Sequence, residues 1–151
     1  MPTSVKFIAR ATSVGGRNGH TRSDDGLVSV DLTIPKSFGG AGREGATTPE
    51  HLFAAGYAAC FGSAVEHFAA QKGWLKGPPG RKSEAIQIEA AVGIGPNEQG
   101  GFGLSVTLTA TLTGVSQAEA QEVVDAAHQI CPYSNAVRGN VDVELKVVAR
   151  D

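Results

Sequence analysis

Residues 47–73, TTPEHLFAAGYAACFGSAVEHFAAQKG, decide how this chain folds. Thr48 can cap a helix, and Pro49 suits the first helical turn, where a missing backbone N–H costs nothing. Glu50 adds an acid at the positive end of the helix dipole. We therefore predict a long helix that begins at these residues and runs to about Lys72.

This predicted helix is apolar on nearly all sides, and it needs more cover than one sheet can give. A sheet face covers only a stripe of a helix, so a second surface must cover the rest. A second copy of the chain is the simplest candidate, with the two helices packed together. The apolar run is about 14 residues long, shorter than the roughly 18–20 residues of a spanning helix, and we predict no membrane association.

The remaining segments alternate in hydrophobicity over lengths typical of strands. We predict strands over residues 5–14, 27–34, 86–94, 104–112 and 141–148. The first two form a hairpin with a long loop, and residues 38–45 and 73–84 form further loops. Ser116 followed by Glu119 predicts a capping box and a second helix over residues 117–130. This order predicts an α+β fold with helices packed on antiparallel sheet.

Length and charge exclude several classes of protein. A chain of 151 residues suits one domain, and we predict a single domain over residues 1–151. The formal net charge is −2 with the charges scattered, so the positive surface that nucleic acid requires is not expected. The first residues lack the features of a signal peptide, and we expect a cytoplasmic protein.

One of the two cysteines, Cys60, lies in the middle of the long predicted helix. The helix dipole acts mainly on terminal turns, so it gives this thiol little help. Apolar surroundings raise a thiol's pKa and make it unreactive, which leaves plain core packing as one interpretation. A reactive Cys60 needs a fixed cation nearby, and the candidates are Arg17, Arg22, Arg43 and Arg138.

The second cysteine, Cys131, ends the second predicted helix and precedes Pro132. At such a chain reversal a sulfur can be partly accessible, which suits a resolving thiol. The two cysteines can bond only if the fold brings their Cα atoms within about 7 Å. We expect Tyr133 and Ser134 to shape this turn, because the chain has no GxSxG nucleophile elbow.

Four segments resemble one known family: GGRNG at 15–19, SDDGL at 23–27, TTPEHLFAAGYAACF at 47–61 and ICPYSNAVRGNVDV at 130–143. In order and spacing they are similar to organic hydroperoxide resistance proteins, the Ohr branch of the OsmC/Ohr family. The resemblance implies antiparallel sheets wrapped around a long central apolar helix in an intertwined homodimer. It also implies a thiol peroxidase that reduces organic hydroperoxides, both alkyl and fatty-acid, to alcohols.

By motif position, the resemblance assigns four catalytic residues. Cys60 is the peroxidatic cysteine, which becomes a sulfenate, and Cys131 is the resolving cysteine, which closes a disulfide with it. Arg17 activates the thiolate, and Glu50 holds Arg17. The implied enzyme has no bound cofactor and no metal. An external dithiol, the dihydrolipoamide of a lipoylated partner protein, recycles it.

Glu50 and Cys60 are ten residues apart, about 15 Å along one helix. One chain is not expected to supply both, so we predict that Arg17 and Glu50 reach Cys60 of the partner subunit. The chain also departs from the family's usual TNPEQLFA, with Thr48 in place of Asn and His51 in place of Gln. Both changes bear on the setting of Glu50.

The apolar residues near Cys60 are candidates for holding the organic part of a hydroperoxide. They are Phe38, Leu52, Phe53, Tyr57 and Phe61, although core packing is the commoner role of such side chains. An alternative is a lipid-binding module without redox chemistry, in which Cys60 only packs. A metal site built from His128, Cys131, Cys60 and His67 has weaker support, because neither CxxC nor HExxH is present.

Overall fold

The computed structural model describes residues 1–74 and 84–151. Most of the loop predicted over residues 73–84 lies outside these described residues. The chain forms two compact units, Met1–Leu52 and Phe53–Asp151. The chain combines two three-stranded sheets with three α-helices in its described residues, and the predicted α+β class is confirmed. The single domain over residues 1–151 stays a prediction.

The first unit is built on a small antiparallel sheet. Its strands are β1 (Ala11–Val14), β2 (His20–Ser23) and β3 (Ser29–Asp31), with β2 in the middle. The predicted strand over residues 5–14 is therefore wrong before Ala11, and residues 20–23, predicted as loop, form a strand. Gly15 and Gly16 have φ values of 82° and 56°, a left-handed conformation open to glycine. They turn the chain back directly after β1, so a middle strand fits where a long loop was expected.

The long predicted helix is confirmed as α1 (Pro49–Gln71). Thr48 caps it, because its Oγ1 accepts a hydrogen bond of 3.2 Å from the backbone N–H of His51. The stripe of α1 that is buried consists of Tyr57, Phe61, Ala64, Val65 and Ala69. On another side the chain exposes small residues, among them Ala55, Ala59 and Ser63. A second copy that covers this side stays a prediction.

The second unit contains a sheet ordered β4–β5–β6. The strands are β4 (Ile86–Pro96), β5 (Phe102–Thr113) and β6 (Val143–Arg150). β4 and β5 form the predicted hairpin, with Ile86 opposite Leu112. β6 pairs parallel to β5, which corrects the expectation of purely antiparallel sheets. The chain returns to it through α2 (Gln117–Ile130) and α3 (Pro132–Val137), and such a helical crossover lets the next strand run in the same direction.

The core of the second unit lies between this sheet and the helices. β5 buries alternate side chains, Val106, Leu108, Ala110 and Leu112, and α2 adds Ala120, Val123, Val124 and Ala127. The predicted capping box starts α2, with Ser116 and Glu119 bonding each other's backbone N–H groups. Within the described parts of the chain, we find no helix with the length and hydrophobicity that a membrane span requires.

Candidate redox site

The two cysteines lie against each other in the second unit. Their Sγ atoms are 3.7 Å apart, with Cys131 donating to Cys60, and both thiols are free. Cys131 is fully buried and Cys60 is partly exposed. The sequence predicted the opposite accessibilities. The difference arises because the junction of α2 and α3 packs into the core, whereas Cys60 lies at the edge of the buried stripe of α1.

Pro132 explains how Cys131 reaches this position. A proline disfavours the helical region for the residue before it, and Cys131 has a ψ of 124°. α2 therefore ends at Ile130, and Pro132 begins α3, a helix that the sequence did not predict. The backbone N–H of Tyr133 in α3 hydrogen-bonds the sulfur of Cys60. The start of α3 thus brings a thiol and a backbone donor to Cys60.

The surroundings of Cys60 favour its neutral form. Burial raises the pKa of the Cys60 thiol above its ordinary value, and the neighbouring Cys131 raises it as well. The hydrogen bond from the Tyr133 N–H opposes this by lowering the pKa. Since the thiolate is the nucleophilic form of cysteine, a reactive Cys60 calls for a cation beyond these contacts.

An aromatic cluster of Phe53, Tyr57 and Tyr133 adjoins the cysteines. The ring centroid of Tyr133 is 5.7 Å from that of Tyr57 and 6.1 Å from that of Phe53. Gly56 gives Tyr133 its room, because a Cβ at this position would lie 2.9 Å from the Tyr133 hydroxyl oxygen. Tyr133 is 40% exposed, so part of the cluster is accessible.

The predicted pocket residues are distributed over both units. In the second unit, Tyr57 and Phe61 are fully buried in the core, and Phe53 is partly buried beside it. In the first unit, Phe38 is 38% exposed and Leu52 is partly buried. Their role as a substrate pocket stays a prediction.

Three side chains near Cys131 form a series of hydrogen bonds that the sequence did not predict. The Tyr57 hydroxyl oxygen is 2.8 Å from Ser134 Oγ, which is 2.9 Å from His128 Nδ1. Tyr57 and Ser134 are fully buried. Burial raises the pKa of Tyr57 and lowers the pKa of His128, so both side chains favour their neutral forms. No periodic pattern links these positions, because they lie on three different helices.

The first unit holds Arg17 and Glu50 in a bidentate ion pair. Arg17 Nη2 is 2.7 Å from Glu50 Oε1, and Nη1 is 3.0 Å from Oε2. The side chains are 39% and 13% exposed. Hydrogen bonding to Arg17 lowers the pKa of Glu50, and Glu50 raises the pKa of Arg17, so both favour their charged forms. Their catalytic roles stay predictions.

Local backbone structure fixes the positions of Arg17 and Glu50. Arg17 lies in a short 3-10 helix, Gly16–Asn18, directly after the turn at Gly15. The side chain of Asn18 anchors this turn by accepting a hydrogen bond of 3.2 Å from the backbone N–H of Ile34. Glu50 lies in the first turn of α1. The guanidinium is therefore held both by its own loop and by a helix terminus.

The two departures from the family pattern contact each other. Thr48 Oγ1 is 2.7 Å from His51 Nδ1, in addition to the backbone bond that caps α1. A hydrogen bond involving Thr48 is also the smallest of the influences that lower the pKa of Glu50. The two substitutions therefore form a cap of their own and leave Glu50 paired with Arg17.

The other candidate arginines have different environments. Arg43 donates to two backbone carbonyls, at 2.9 and 3.4 Å. Arg138 donates to the backbone carbonyl of His128 at 2.6 Å. Arg22 is an exposed residue of β2. Among these four arginines, all within the described residues, Arg17 is the one that forms an ion pair with a carboxylate.

The lipid-binding alternative stays a prediction, and the described residues lend no support to the metal site. A cavity away from the predicted pocket residues, beside Ala69, Trp74 and Leu112, has a volume of about 10 Å³, room for about one water molecule. Within residues 1–74 and 84–151, no three His, Cys, Asp or Glu side chains converge as metal ligands. His128, considered as a ligand, directs Nδ1 to Ser134 instead.

Comparison with known proteins assigns the chain to a family. The profile of the OsmC-like protein family matches residues 40–146. The chain belongs to this family. The matched residues include α1, both cysteines, β4, β5 and the first half of β6, and the resemblance drawn from the sequence motifs is confirmed.

Relatives named for organic hydroperoxide resistance are similar over almost their full length. The organic hydroperoxide resistance protein of Xanthomonas axonopodis pv. citri is 49% identical, over 95% of this chain and 96% of its own. A crystal structure of such a protein from Legionella pneumophila has 45% identity and a TM-score of 0.84, covering 96% of this chain and 99% of its own. That of OhrB from Bacillus subtilis has 44% identity and a TM-score of 0.81, covering 93% and 98%.

Proposed function

We propose that this protein is a cysteine-based thiol peroxidase that reduces alkyl and fatty-acid hydroperoxides to alcohols. The observation that carries the proposal is the 3.7 Å contact between two free thiols, Cys60 and Cys131. Similarity to proteins named for resistance to organic hydroperoxides supports the choice of substrate.

In the proposed cycle, the Cys60 thiolate attacks the terminal oxygen of the hydroperoxide. The O–O bond breaks, an alcohol leaves, and Cys60 carries a sulfenic acid. The Cys131 thiol then attacks this sulfur, and a disulfide forms as water leaves. An external dithiol of the dihydrolipoamide type, carried by a lipoylated protein, reduces the disulfide by exchange, so the cycle uses no bound cofactor.

Arg17 is the proposed source of positive charge for the thiolate. Its guanidinium stays charged at all working pH values, and the bidentate bond to Glu50 restricts its orientation. In the proposed homodimer, Arg17 and Glu50 act on Cys60 of the partner subunit. The guanidinium also stabilises the negative charge that develops on the peroxide oxygens.

The aromatic cluster of the second unit supports an organic substrate over hydrogen peroxide. Cys60 is partly exposed, so a peroxide can reach it, and the partly exposed Tyr133 lies close to it. The partly exposed rings of Tyr133 and Phe53 offer apolar contact for an alkyl group. Hydrogen peroxide has no group that can use this contact.

The test is a single turnover of the reduced protein in a stopped-flow instrument. We expect tert-butyl hydroperoxide to oxidise the protein faster than hydrogen peroxide does. Cys60→Ser should consume no peroxide, whereas Cys131→Ser should consume about one equivalent and leave a sulfenic acid that dimedone traps. Equal peroxide consumption by the two variants would contradict the assignment. Faster reduction of the disulfide by dihydrolipoamide than by a monothiol at equal thiol concentration supports the proposed reductant.

A further inference from the structure

The hydrogen-bond chain of Tyr57, Ser134 and His128 has no part in the peroxide step proposed above. Its members lie on α1, α3 and α2, and the chain therefore joins three helices at one point. Its central member, Ser134, is fully buried and lies in the same short helix that begins after Cys131.

These hydrogen bonds depend on direction, unlike the apolar packing around them. The Ser134 hydroxyl has one proton and two acceptor sites, so it donates to at most one of its two partners and accepts from the other or from both. Replacing one member leaves a buried polar group unpaired, which costs more than the loss of an ordinary contact. A second contact, from Arg138 to the His128 carbonyl at 2.6 Å, also joins the end of α3 to α2. The two contacts hold α3 in one orientation.

The position of α3 determines where the Cys131 sulfur lies. The two Sγ atoms are 3.7 Å apart, and a disulfide bond is about 2.0 Å long, so a small displacement completes the bond. A rotation of α3 would move the Cys131 thiol and the Tyr133 N–H away from Cys60 together. Ser134 lies three residues after Cys131, close enough for its hydrogen bonds to prevent that rotation.

We infer that Tyr57, Ser134 and His128 are positioning residues that keep Cys131 aligned with Cys60 for disulfide formation, an inference that rests on the proposed function. In the step concerned, the Cys131 sulfur attacks the sulfur of the Cys60 sulfenic acid. The S–S bond forms, the S–O bond breaks, and hydroxide leaves with the thiol proton as water. In the competing step, a second hydroperoxide oxidises the sulfenic acid to a sulfinic acid and leaves as an alcohol.

The first test compares Ser134→Ala with Ser105→Ala, which removes an exposed hydroxyl from β5. Each reduced variant is mixed with rising concentrations of tert-butyl hydroperoxide, and intact mass reports disulfide against sulfinic acid. For Ser134→Ala we expect disulfide formation to slow on the order of tenfold, with a sulfinic fraction that grows with peroxide concentration. Ser105→Ala should behave as the wild type. Unchanged partition in Ser134→Ala overturns the inference.

The second test separates positioning from general damage to the site. In a Cys131→Ser background, Ser134→Ala should slow formation of the Cys60 sulfenic acid much less than it slows disulfide formation, because only the Tyr133 N–H contact with the sulfur bears on this first step. An equal slowing of this first step overturns the inference and leaves the proposed function intact. If no sulfenic acid forms in Cys131→Ser at all, the proposed function fails and the inference fails with it.

The third test uses rescue at His128, which is only partly buried and tolerates substitution better than Ser134. His128→Leu should raise the sulfinic fraction as Ser134→Ala does. His128→Asn, whose amide can donate or accept near the position of Nδ1, should return most of the lost disulfide rate. If both His128 variants partition alike, hydrogen bonding is not the cause and the inference is overturned. This pair decides the question even where Ser134→Ala fails to fold.

Discussion

The ion pair of the first unit and the thiol pair of the second differ in the protonation states that their surroundings favour. Arg17 lowers the pKa of Glu50, and Glu50 raises the pKa of Arg17, so both stay charged. Around the thiols, burial raises the pKa of Cys60 and Tyr57 and lowers that of His128. Every one of these shifts favours a neutral group.

Solvent access and pairing explain the difference. Arg17 is 39% exposed and meets Glu50 through two hydrogen bonds, so pairing outweighs desolvation. Cys131 is completely buried and Cys60 lies beside it, so desolvation dominates there. A neutral thiol in such a core resists unwanted oxidation, and for the same reason it reacts slowly with peroxide. In the proposed mechanism, the thiolate receives its stabilising charge from outside its own core, and the Arg17–Glu50 ion pair is the proposed source of that charge.

The largest expected effect comes from removing the cation. Arg17→Ala should slow oxidation of the reduced protein by tert-butyl hydroperoxide on the order of 10²–10³-fold, the usual loss when an oriented donor to developing charge is deleted. The measurement is the second-order rate constant in single turnover. The apparent pKa of Cys60, followed by thiolate absorbance in a Cys131→Ser background, should rise in the same variant.

Arg22→Ala is the matched control for this prediction. Arg22 lies in the same unit, is exposed, and was one of the cations that the sequence left open. We expect its rate constant to stay within about a factor of two of the wild type, since an isolated surface charge contributes little. A larger loss of rate constant in Arg22→Ala than in Arg17→Ala would contradict the choice of the Arg17–Glu50 pair as the source of charge for the thiolate.

A smaller effect is expected from packing beside the thiols. In a helix interior, Gly→Ala stabilises by roughly 0.5–1 kcal/mol when the methyl group has room. At Gly62 the nearest atom to an added Cβ is on Ile88 at 3.5 Å, an ordinary contact. At Gly56 it is the Tyr133 hydroxyl oxygen at 2.9 Å, a clash that we expect to cost about 1–3 kcal/mol.

Urea unfolding at a fixed protein concentration distinguishes the two glycine variants. Gly62→Ala should raise the unfolding free energy and Gly56→Ala should lower it. Gly56→Ala should also slow oxidation of Cys60, because displacement of Tyr133 disturbs its N–H bond to the sulfur. If both variants shift the unfolding free energy in the same direction, the packing of Tyr133 on α1 does not constrain the surroundings of the two thiols.

The sequence predicted those parts of the fold that depend on local pattern. The threonine cap and proline mark the start of α1, the Ser116–Glu119 box marks α2, and alternation marks the hairpin of β4 and β5. The strand β2 escaped prediction because its four residues, HTRS, are polar and gain their structure from pairing on both sides. The direction of β6 depends on the crossover and not on its own residues.

The candidate site was less accessible to sequence reasoning. Arg17, Glu50, Cys60 and Cys131 were chosen by resemblance to a family, because no spacing rule joins residues so far apart in the chain. The sequence predicted a buried Cys60 and a partly accessible Cys131, and the structure shows the reverse. Composition does not show which face of a helix is covered. The Tyr57–Ser134–His128 chain depends on three helices meeting, which tertiary structure alone decides.

The smallest expected effect concerns the stability of the ion pair. Because Arg17 lowers the pKa of Glu50 in the folded state, the pair stabilises the protein above the pKa of an unfolded glutamate, about 4.3, and loses this contribution as pH falls through the folded value. At pH 7 we expect Glu50→Gln to lower the unfolding free energy by less than about 1 kcal/mol, given the exposure of Arg17. The difference from the wild type should shrink as urea titrations move from pH 7 towards pH 3. The exposed Glu44 provides the control, as Glu44→Gln should show a smaller difference at pH 7. A Glu50→Gln deficit that persists undiminished at pH 3 would mean that shape and hydrogen bonding, not charge, hold the pair together, and the contrast with the neutral thiol region would lose its basis.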